Sequence, residues 1–263
     1  GVNMSTIRNR MTKLNGGTPI SDGPFRNGSM YLTYTNEGMP IGAFWGYKTD
    51  GLIQTQEQLN AVKRADFQPN AELGDVLFVD TNGDGKLDSS DRCMIGNPIP
   101  DIIYGINMGM AWKGFDLNLQ FGGTIGNQIF NAMRYYTYFP NDITNKDRAL
   151  MNYWTPNNTN TDIPRLTATD VNDNDRFSDM YVENGTYFRL RNAQLGYTLP
   201  ASLTQRIKLQ KVRFYVSGQN LFTISSYSGM DPEVGQSSSL SRGIDYGIYP
   251  QNISFTGGIN VTF

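Results

Sequence analysis

Between Tyr104 and Phe121 the chain alternates apolar with small or polar residues at a period of two and turns back on itself once. Tyr104, Ile106, Met108, Met110 and Trp112 share one phase, and Gly105, Asn107, Gly109 and Ala111 share the other. A helix cannot gather residues of that period on one face, so the stretch is committed to strands. Lys113-Gly114 supplies a two-residue hairpin turn, with Gly where a positive φ is easiest. The return strand sets Phe115, Leu117, Leu119 and Phe121 on one phase and Asp116, Asn118, Gln120 and Gly122 on the other. Trp112 falls opposite Phe115, so the two apolar faces coincide, and a slip of one residue would turn the whole set over. The opposite face is either the solvent surface of a sandwich or the lumen of a barrel; the local pattern fits both.

Other segments repeat the rule. Ile253, Phe255, Gly257, Ile259, Val261 and Phe263 alternate with Ser254, Thr256, Gly258, Asn260 and Thr262. Val212, Phe214 and Val216 alternate with Arg213, Tyr215, Ser217 and Gln219. Within residues 186–199, Phe188 and Leu190 lie on one phase but Ala193, Leu195 and Tyr197 on the other, which predicts a bulge near Asn192. Residues 29–35 and 41–47 are shorter strand candidates around a tight connection at 36–40. Residues 1–14 could be another, although Arg8, Arg10 and Lys13 blur the pattern. A further short link spans 200–210, with a helical turn expected over 201–207. Long connections cover roughly 48–101, 123–185 and 224–251. Short and long links therefore alternate, as in an outer-membrane barrel with tight turns at one end and long loops at the other. Trp112 and Phe115 suit the membrane interface beside such a turn. Tyr135, Tyr136, Tyr138 and Phe139 lie in a long connection, where packing within the loop is the expected role.

Composition removes several functions. With 22 Lys+Arg against 24 Asp+Glu, the chain lacks the basic surplus that nucleic-acid phosphates require. It contains no His, which rules out imidazole bases, Ser-His-Asp triads and His-ligated zinc. A single Cys, Cys93, excludes an internal disulfide framework. No run of about 18 apolar residues is present, so no transmembrane helix is expected; strands leave a much weaker trace. The first residues carry no basic segment followed by an apolar core, so no signal peptide is expected in this chain.

The sharpest chemical motif is the acidic stretch from Asp80 to Asp91. Asp80, Asn82 and Asp84 take positions 1, 3 and 5 of a calcium loop, and Gly85 takes the sharp turn at 6. Lys86 offers its carbonyl at 7, Leu87 is apolar at 8, Asp88 stands at 9 and Asp91 at 12. Such spacing can wrap six to eight oxygens around one Ca2+ ion. Asp91 replaces the usual Glu, as in dockerin-type loops. The alternative is a metal-free turn, which Asn, Asp and Gly favour in any case. Without a flanking amphipathic helix or a paired second loop, the ion would pin a loop and not act as a sensor. Residues 170–175 are also acidic but lack the Gly and the spacing, and are expected to be a solvated loop.

The residues also carry a family resemblance. Residues 74–76, 80–86, 95–101 and 104–107 look like the C-terminal part of SusC-like TonB-dependent transporters. So do residues 185–192, 195–200, 217–222, 231–233 and Tyr249-Pro250, in the same order along the chain. The resemblance implies an all-β fold, a transmembrane antiparallel β-barrel of 22 strands with long extracellular loops. Residues 1–263 would form the C-terminal part of the barrel domain, about the last seven strands, with the plug domain and signal peptide outside this chain. It further implies a nutrient importer in the outer membrane of a gram-negative bacterium, crossing it several times and carrying no enzyme activity. Its partners would be membrane lipid, an oligosaccharide or peptide cargo, a SusD-like lipoprotein lid, and TonB through the part not in this chain. Phe263 would belong to the signal for outer-membrane sorting.

On this reading the lipid face is Tyr104, Ile106, Met108, Phe115, Leu117, Leu119, Phe214, Val216, Ile259 and Phe263. The lumen face is Asn107, Asn118, Gln120, Arg213, Ser217, Gln219 and Asn260. The runner-up is a secreted, calcium-stabilised β-sandwich that binds glycans and buries the same apolar face as its core. A two-carboxylate glycosidase is a third possibility, but no acid/base pair stands out among the acidic residues.

Overall fold

The computed structural model describes residues 1–139, 145–235 and 238–263. Six strands form one antiparallel sheet whose spatial order is their chain order: β1 (Val2–Thr6), β2 (Ile102–Trp112), β3 (Phe115–Ile125), β4 (Tyr187–Thr198), β5 (Lys211–Ser225) and β6 (Ser254–Thr262). An 11-residue strand such as β2 reaches about 36 Å at ~3.3 Å per residue. Tilted by ~40°, that crosses the ~25 Å apolar band of a barrel wall. Among the described residues no helix is long and apolar enough to cross a membrane.

The ladder fixes which residues share a face. Tyr104, Gly123, Phe188 and Ile224 form one cross-strand row, and Ile106, Phe121, Leu190 and Phe222 the next. Phe188 stacks between Tyr104 and Phe121 at centroid distances of 6.4 and 5.2 Å. The bulge expected near Asn192 lies between Leu190 and Asn192. It skips one residue of β4, so Phe188 and Leu190 below it and Ala193, Leu195 and Tyr197 beyond it all reach the same side. The Lys113-Gly114 turn has positive φ at both residues, 47° and 87°, the twist that two-residue hairpins need.

The apolar face is bare. Met110 is 66% exposed, Val216 60% and Phe255 79%, and no second sheet covers them among the described residues. A sandwich core cannot look like this, because both of its inner faces must be buried against each other. The runner-up reading therefore fails on the exposure of its own proposed core.

Two sequence expectations change. The wall has six strands and not about seven, because residues 29–35 and 41–47 leave it. Met30–Thr35 and Ala43–Gly46 instead join Ile20–Phe25 and Cys93–Gly96 in a separate four-stranded sheet. Both are buried on alternate or successive positions by other loops, which suits short strands in a packed body. The first long connection consequently runs from residue 7 to 101, and the others span 126–186 and 226–253.

These three connections fold together as one body at the long-loop end. Its main core takes Phe25, Leu32 and Phe44 from the first connection, Phe130, Tyr135, Phe139, Phe177 and Tyr181 from the second, and Ile244 from the third. Tyr135 and Phe139 are thus loop packing, as expected. Gln128–Asn131 pairs with Val182–Asn184 on one side and with Ile244–Asp245 on the other, stitching the second and third connections. The acidic stretch at 170–175 departs from the expected solvated loop: Asn172 and Asn174 are buried. Asn174 donates to Asp75 at 3.0 Å and accepts from the Val76 N–H at 2.8 Å, while Asn172 accepts from Gln68 at 3.0 Å. Asp75, itself buried, also holds Arg165 at 2.6 Å, so the first two connections share one satisfied polar network.

Candidate functional site

The polar face of the wall, where it meets the loop body, concentrates the charged chemistry. Near the short-turn end, Arg213 on β5 reaches across β4 to Asp116 on β3, with Nε–Oδ1 at 2.9 Å and Nη2–Oδ2 at 2.5 Å. Gln194 accepts a further hydrogen bond from it at 3.2 Å. Gly196 lies between the two partners, and a Cβ there would occupy the guanidinium's place. The bidentate pair thus spans three strands because the middle one lacks a side chain. Asn118, Gln120, Ser217, Gln219 and Asn260 occupy the same face by register, as the lumen reading requires. Asn107 joins them through its pairing with Gln120.

Toward the long-loop end of the same face, Arg189 on β4 is 2% exposed. Its Nη2 donates to Asp231 at 2.5 Å, its Nη1 to Glu233 at 2.9 Å and its Nε to Thr223 at 2.8 Å. Arg191, just beyond, donates to Glu233 at 3.1 Å and to the Tyr187 hydroxyl at 3.1 Å. Asp231, 3% exposed, also accepts the N–H groups of Glu233 and Gln251 at 2.8 and 2.9 Å. Burial pushes its carboxyl up, but those two N–H groups and the Arg189 guanidinium outweigh it and hold the group below the ordinary aspartate range. The third connection is therefore latched inward onto the wall by charge. Period-two patterning did not reveal this role for Arg189, Asp231 and Glu233. The available signal was two arginines inside an apolar-alternating strand, whose burial demands acidic partners elsewhere.

Beside the latch lies a cleft of about 370 Å³ between wall and loops. Ile99, Ile103 and Pro232 give it apolar surface, and Asn127, Glu233 and Arg242 give it hydrogen-bonding groups. It can hold a ligand of mixed polarity. It presents no nucleophile paired with a base, and the chain contains no His to serve as one.

The acidic stretch lies in the first connection. The Asp80 carboxylate accepts the Gly83 and Gly85 N–H groups at 2.6 and 2.8 Å, Asn82 accepts that of Asp84, and Asp84 that of Lys86, both at 2.8 Å. Asp88 caps Ser90 at 2.7 Å. The Gly85 N–H, foremost among its donors, holds the Asp80 carboxyl low, and the Ser90 N–H does the same for Asp88. Gly83 and Gly85 both have φ of 77°, which lets the chain curl back on Asp80. Asp91 is fully buried and closes the ring, accepting from Thr81 at 3.0 Å and from Asp88 at 2.9 Å. Among the described residues no three acidic groups converge as a ready metal cluster. Each of these oxygens retains lone-pair capacity beyond its backbone hydrogen bond.

Phe263, beyond the last ladder pair of β6, is 83% exposed on the apolar side.

No known family profile matches the chain. Individual relatives do. It is 37% identical over 273 aligned residues, 99% of its length, to TonB-dependent receptor P3 of Formosa agariphila, covering 26% of that protein. It is 29% identical to TonB-dependent receptor SusC of Bacteroides thetaiotaomicron over 75% of the chain and 18% of that receptor. Among solved structures, the RagAB peptide importer in its closed-closed state aligns over the whole chain and 27% of its own, with a TM-score of 0.72 and 25% identity. The chain thus spans about a quarter of the length of the relatives it matches.

Removing Arg189 leaves Asp231 buried without its counter-charge. Arg189→Leu is expected to destabilise the latch by about 3–5 kcal/mol, read as new protease cleavage within residues 226–235. Acid should reproduce this in the unaltered protein. A depressed pKa contributes stability above the unfolded value and loses it as pH falls through the folded one, so cleavage should rise only below about pH 4. An Arg189→Leu protein with unchanged cleavage would refute the latch.

Proposed function

Because the chain is a homologous segment of the TonB-dependent receptors, we propose that it supplies part of the membrane wall and outer loops of a SusC-like nutrient importer. The observation that carries this reading is the two-faced sheet: an apolar side left uncovered across six strands, with a charged and amide-rich side opposite. A hydrocarbon solvent would make the bare side favourable and the ladder obligatory. The receptor would lie in the outer membrane of a gram-negative bacterium, cross it many times and take its energy through TonB. The short turns would face the periplasm and the loop body the outside.

The cargo would be an oligosaccharide or a peptide, passing along the polar face and the cleft beside the latch. The cleft's mix of apolar and hydrogen-bonding groups suits either class. A SusD-like lipoprotein would close over the loop body. The relatives' names support the importer assignment: one is SusC, and another is a chain of the RagAB peptide importer. Phe263, bare at the end of β6, would be read by the assembly machinery as part of the sorting signal.

We propose further that Asp80, Asn82, Asp84, the Lys86 carbonyl, Asp88 and Asp91 hold one Ca2+ ion that pins the first connection. The ligand spacing and the folding of the Asp80, Asn82, Asp84 and Asp88 side chains onto the loop's own N–H groups support this; the ion would draw these oxygens together and take lone pairs that the N–H groups leave over.

The membrane orientation is tested in the full-length receptor. Leu117→Arg should cost ~2–4 kcal/mol of folding stability in lipid, while Asn118→Arg should be mild; equal losses on the two faces would reject the reading. For the ion, calorimetric titration of Ca2+ should give a saturable signal that Asp80→Ala and Asp84→Ala abolish. A flat titration of the unaltered protein would remove calcium from the site.

A further inference from the structure

The apolar face is not evenly convex. Ala193 and Gly218 in one cross-strand row and Gly257 in the next are small residues on three neighbouring strands, leaving a hollow of about 400 Å³ into which the Leu221 side chain folds over Gly218. Leu117, Leu195 and Phe255 stand around it. Its position in depth follows from the register. Phe214 belongs to the same row as Tyr197 and Phe115, and with Trp112 these rings mark the edge of the apolar band on the short-turn side. Gly218 lies four residues further along β5, about 13 Å at ~3.3 Å per residue. With the strand tilted ~40°, that is roughly 10 Å of depth. Half of a ~30 Å hydrocarbon core is about 15 Å, so the hollow sits within the leaflet on the short-turn side.

Directly below it the charge is one-sided. The two short links carry Lys113, Arg206 and Lys208, Lys211 opens β5 beside them, and residues 199–211 contain no acid. All four cations are exposed, and none forms an ion pair among the described residues. The Lys113 ammonium lies 4.7 Å from the centroid of the Trp112 ring, on the apolar side of the wall. A row of unpaired cations at headgroup level, with an apolar hollow one acyl-chain reach above it, matches one kind of molecule: a chain of fatty-acyl length ending in a phosphate.

We propose that this face binds a single phospholipid of the short-turn leaflet, its phosphate on the Arg206–Lys208 link and one acyl chain in the hollow at Ala193, Gly218 and Gly257. The inference rests on the membrane reading above and adds a defined lipid site to it. Gly257 is the clean place to test it, because a Cβ there meets nothing closer than the Tyr215 carbonyl oxygen at 4.0 Å. Gly257→Leu therefore fills the hollow without a clash at Cβ. Ala193→Leu does so from the adjacent strand, and it serves if the first variant fails to assemble.

The experiment is native mass spectrometry of the full-length receptor in mild detergent, titrated with phosphatidylglycerol. Folding is checked by the heat-dependent gel shift of an intact barrel. The unaltered receptor should retain a lipid that the folded Gly257→Leu or Ala193→Leu receptor has lost. Arg206→Glu combined with Lys208→Glu should weaken retention about tenfold or more. Equal lipid counts in folded receptors would overturn the proposal while leaving the membrane wall intact. So would a filled hollow that dissociates a receptor dimer and leaves the lipid count alone, since a second copy would then be the occupant. A receptor that stays soluble without detergent would overturn both the lipid site and the wall.

Discussion

Neighbouring strands of the wall are held in a register that no residue can leave alone. β3 and β4 are paired on both sides along nearly their whole length, β2 on its outer side over Ile102–Ile106 and β5 on its outer side over Lys211–Gln219, and apart from the bulge side chains alternate between two environments. In the hydrocarbon of the proposed membrane setting an unpaired backbone group would cost several kcal/mol, which would keep the ladder from fraying locally. The alternation in the sequence and the ladder in the fold are thus two aspects of one constraint. The bulge between Leu190 and Asn192 is its adjustment: a phase error of one residue in β4 is absorbed there, and the apolar side remains continuous.

On the proposed membrane reading, the polar side of the sheet is left to do what a soluble protein's interior does. Charges there are paired over distance by deliberate gaps, as where Gly196 admits Arg213 to Asp116. They are also paired across sequence, as where Arg189 meets Asp231 and Glu233 on a connection more than forty positions away. A buried guanidinium with two carboxylates is a costly arrangement unless every partner is satisfied, and here Thr223 and two backbone N–H groups complete it. The result is positional: the third connection is fixed over the polar side, beside the cleft, and is not left to wave in solvent.

The long connections form a second, conventional core. Phe25, Phe177 and Tyr181 each pack edge to face against Phe130, with Phe44 tilted beside it, and the buried amides of Asn172 and Asn174 bridge to Asp75 and Gln68. A packed body of this kind would present a defined surface to the cargo and lid proposed above. Residues 29–35 and 41–47 carry the same local period as the wall, because a short strand in a soluble sheet and a short strand in a barrel share it.

The sequence by itself determined the hairpin at Lys113-Gly114, the facing of β2 to β6, the bulge and the alternation of short and long links, because each follows from period-two spacing and turn chemistry within a few residues. It also marked the acidic stretch as a candidate ion loop, since those ligand positions are local. Tertiary structure alone decided that Met30–Thr35 and Ala43–Gly46 leave the wall, that Asn172 and Asn174 are buried, and that Arg189 is latched to Asp231 and Glu233. Those outcomes depend on contacts with distant segments: Phe44 with Gly96, Asn172 and Asn174 with Gln68 and Asp75, and Arg189 with Asp231 and Glu233. No local period encodes such contacts: a buried charge or amide is tolerable only where a distant partner happens to be brought beside it.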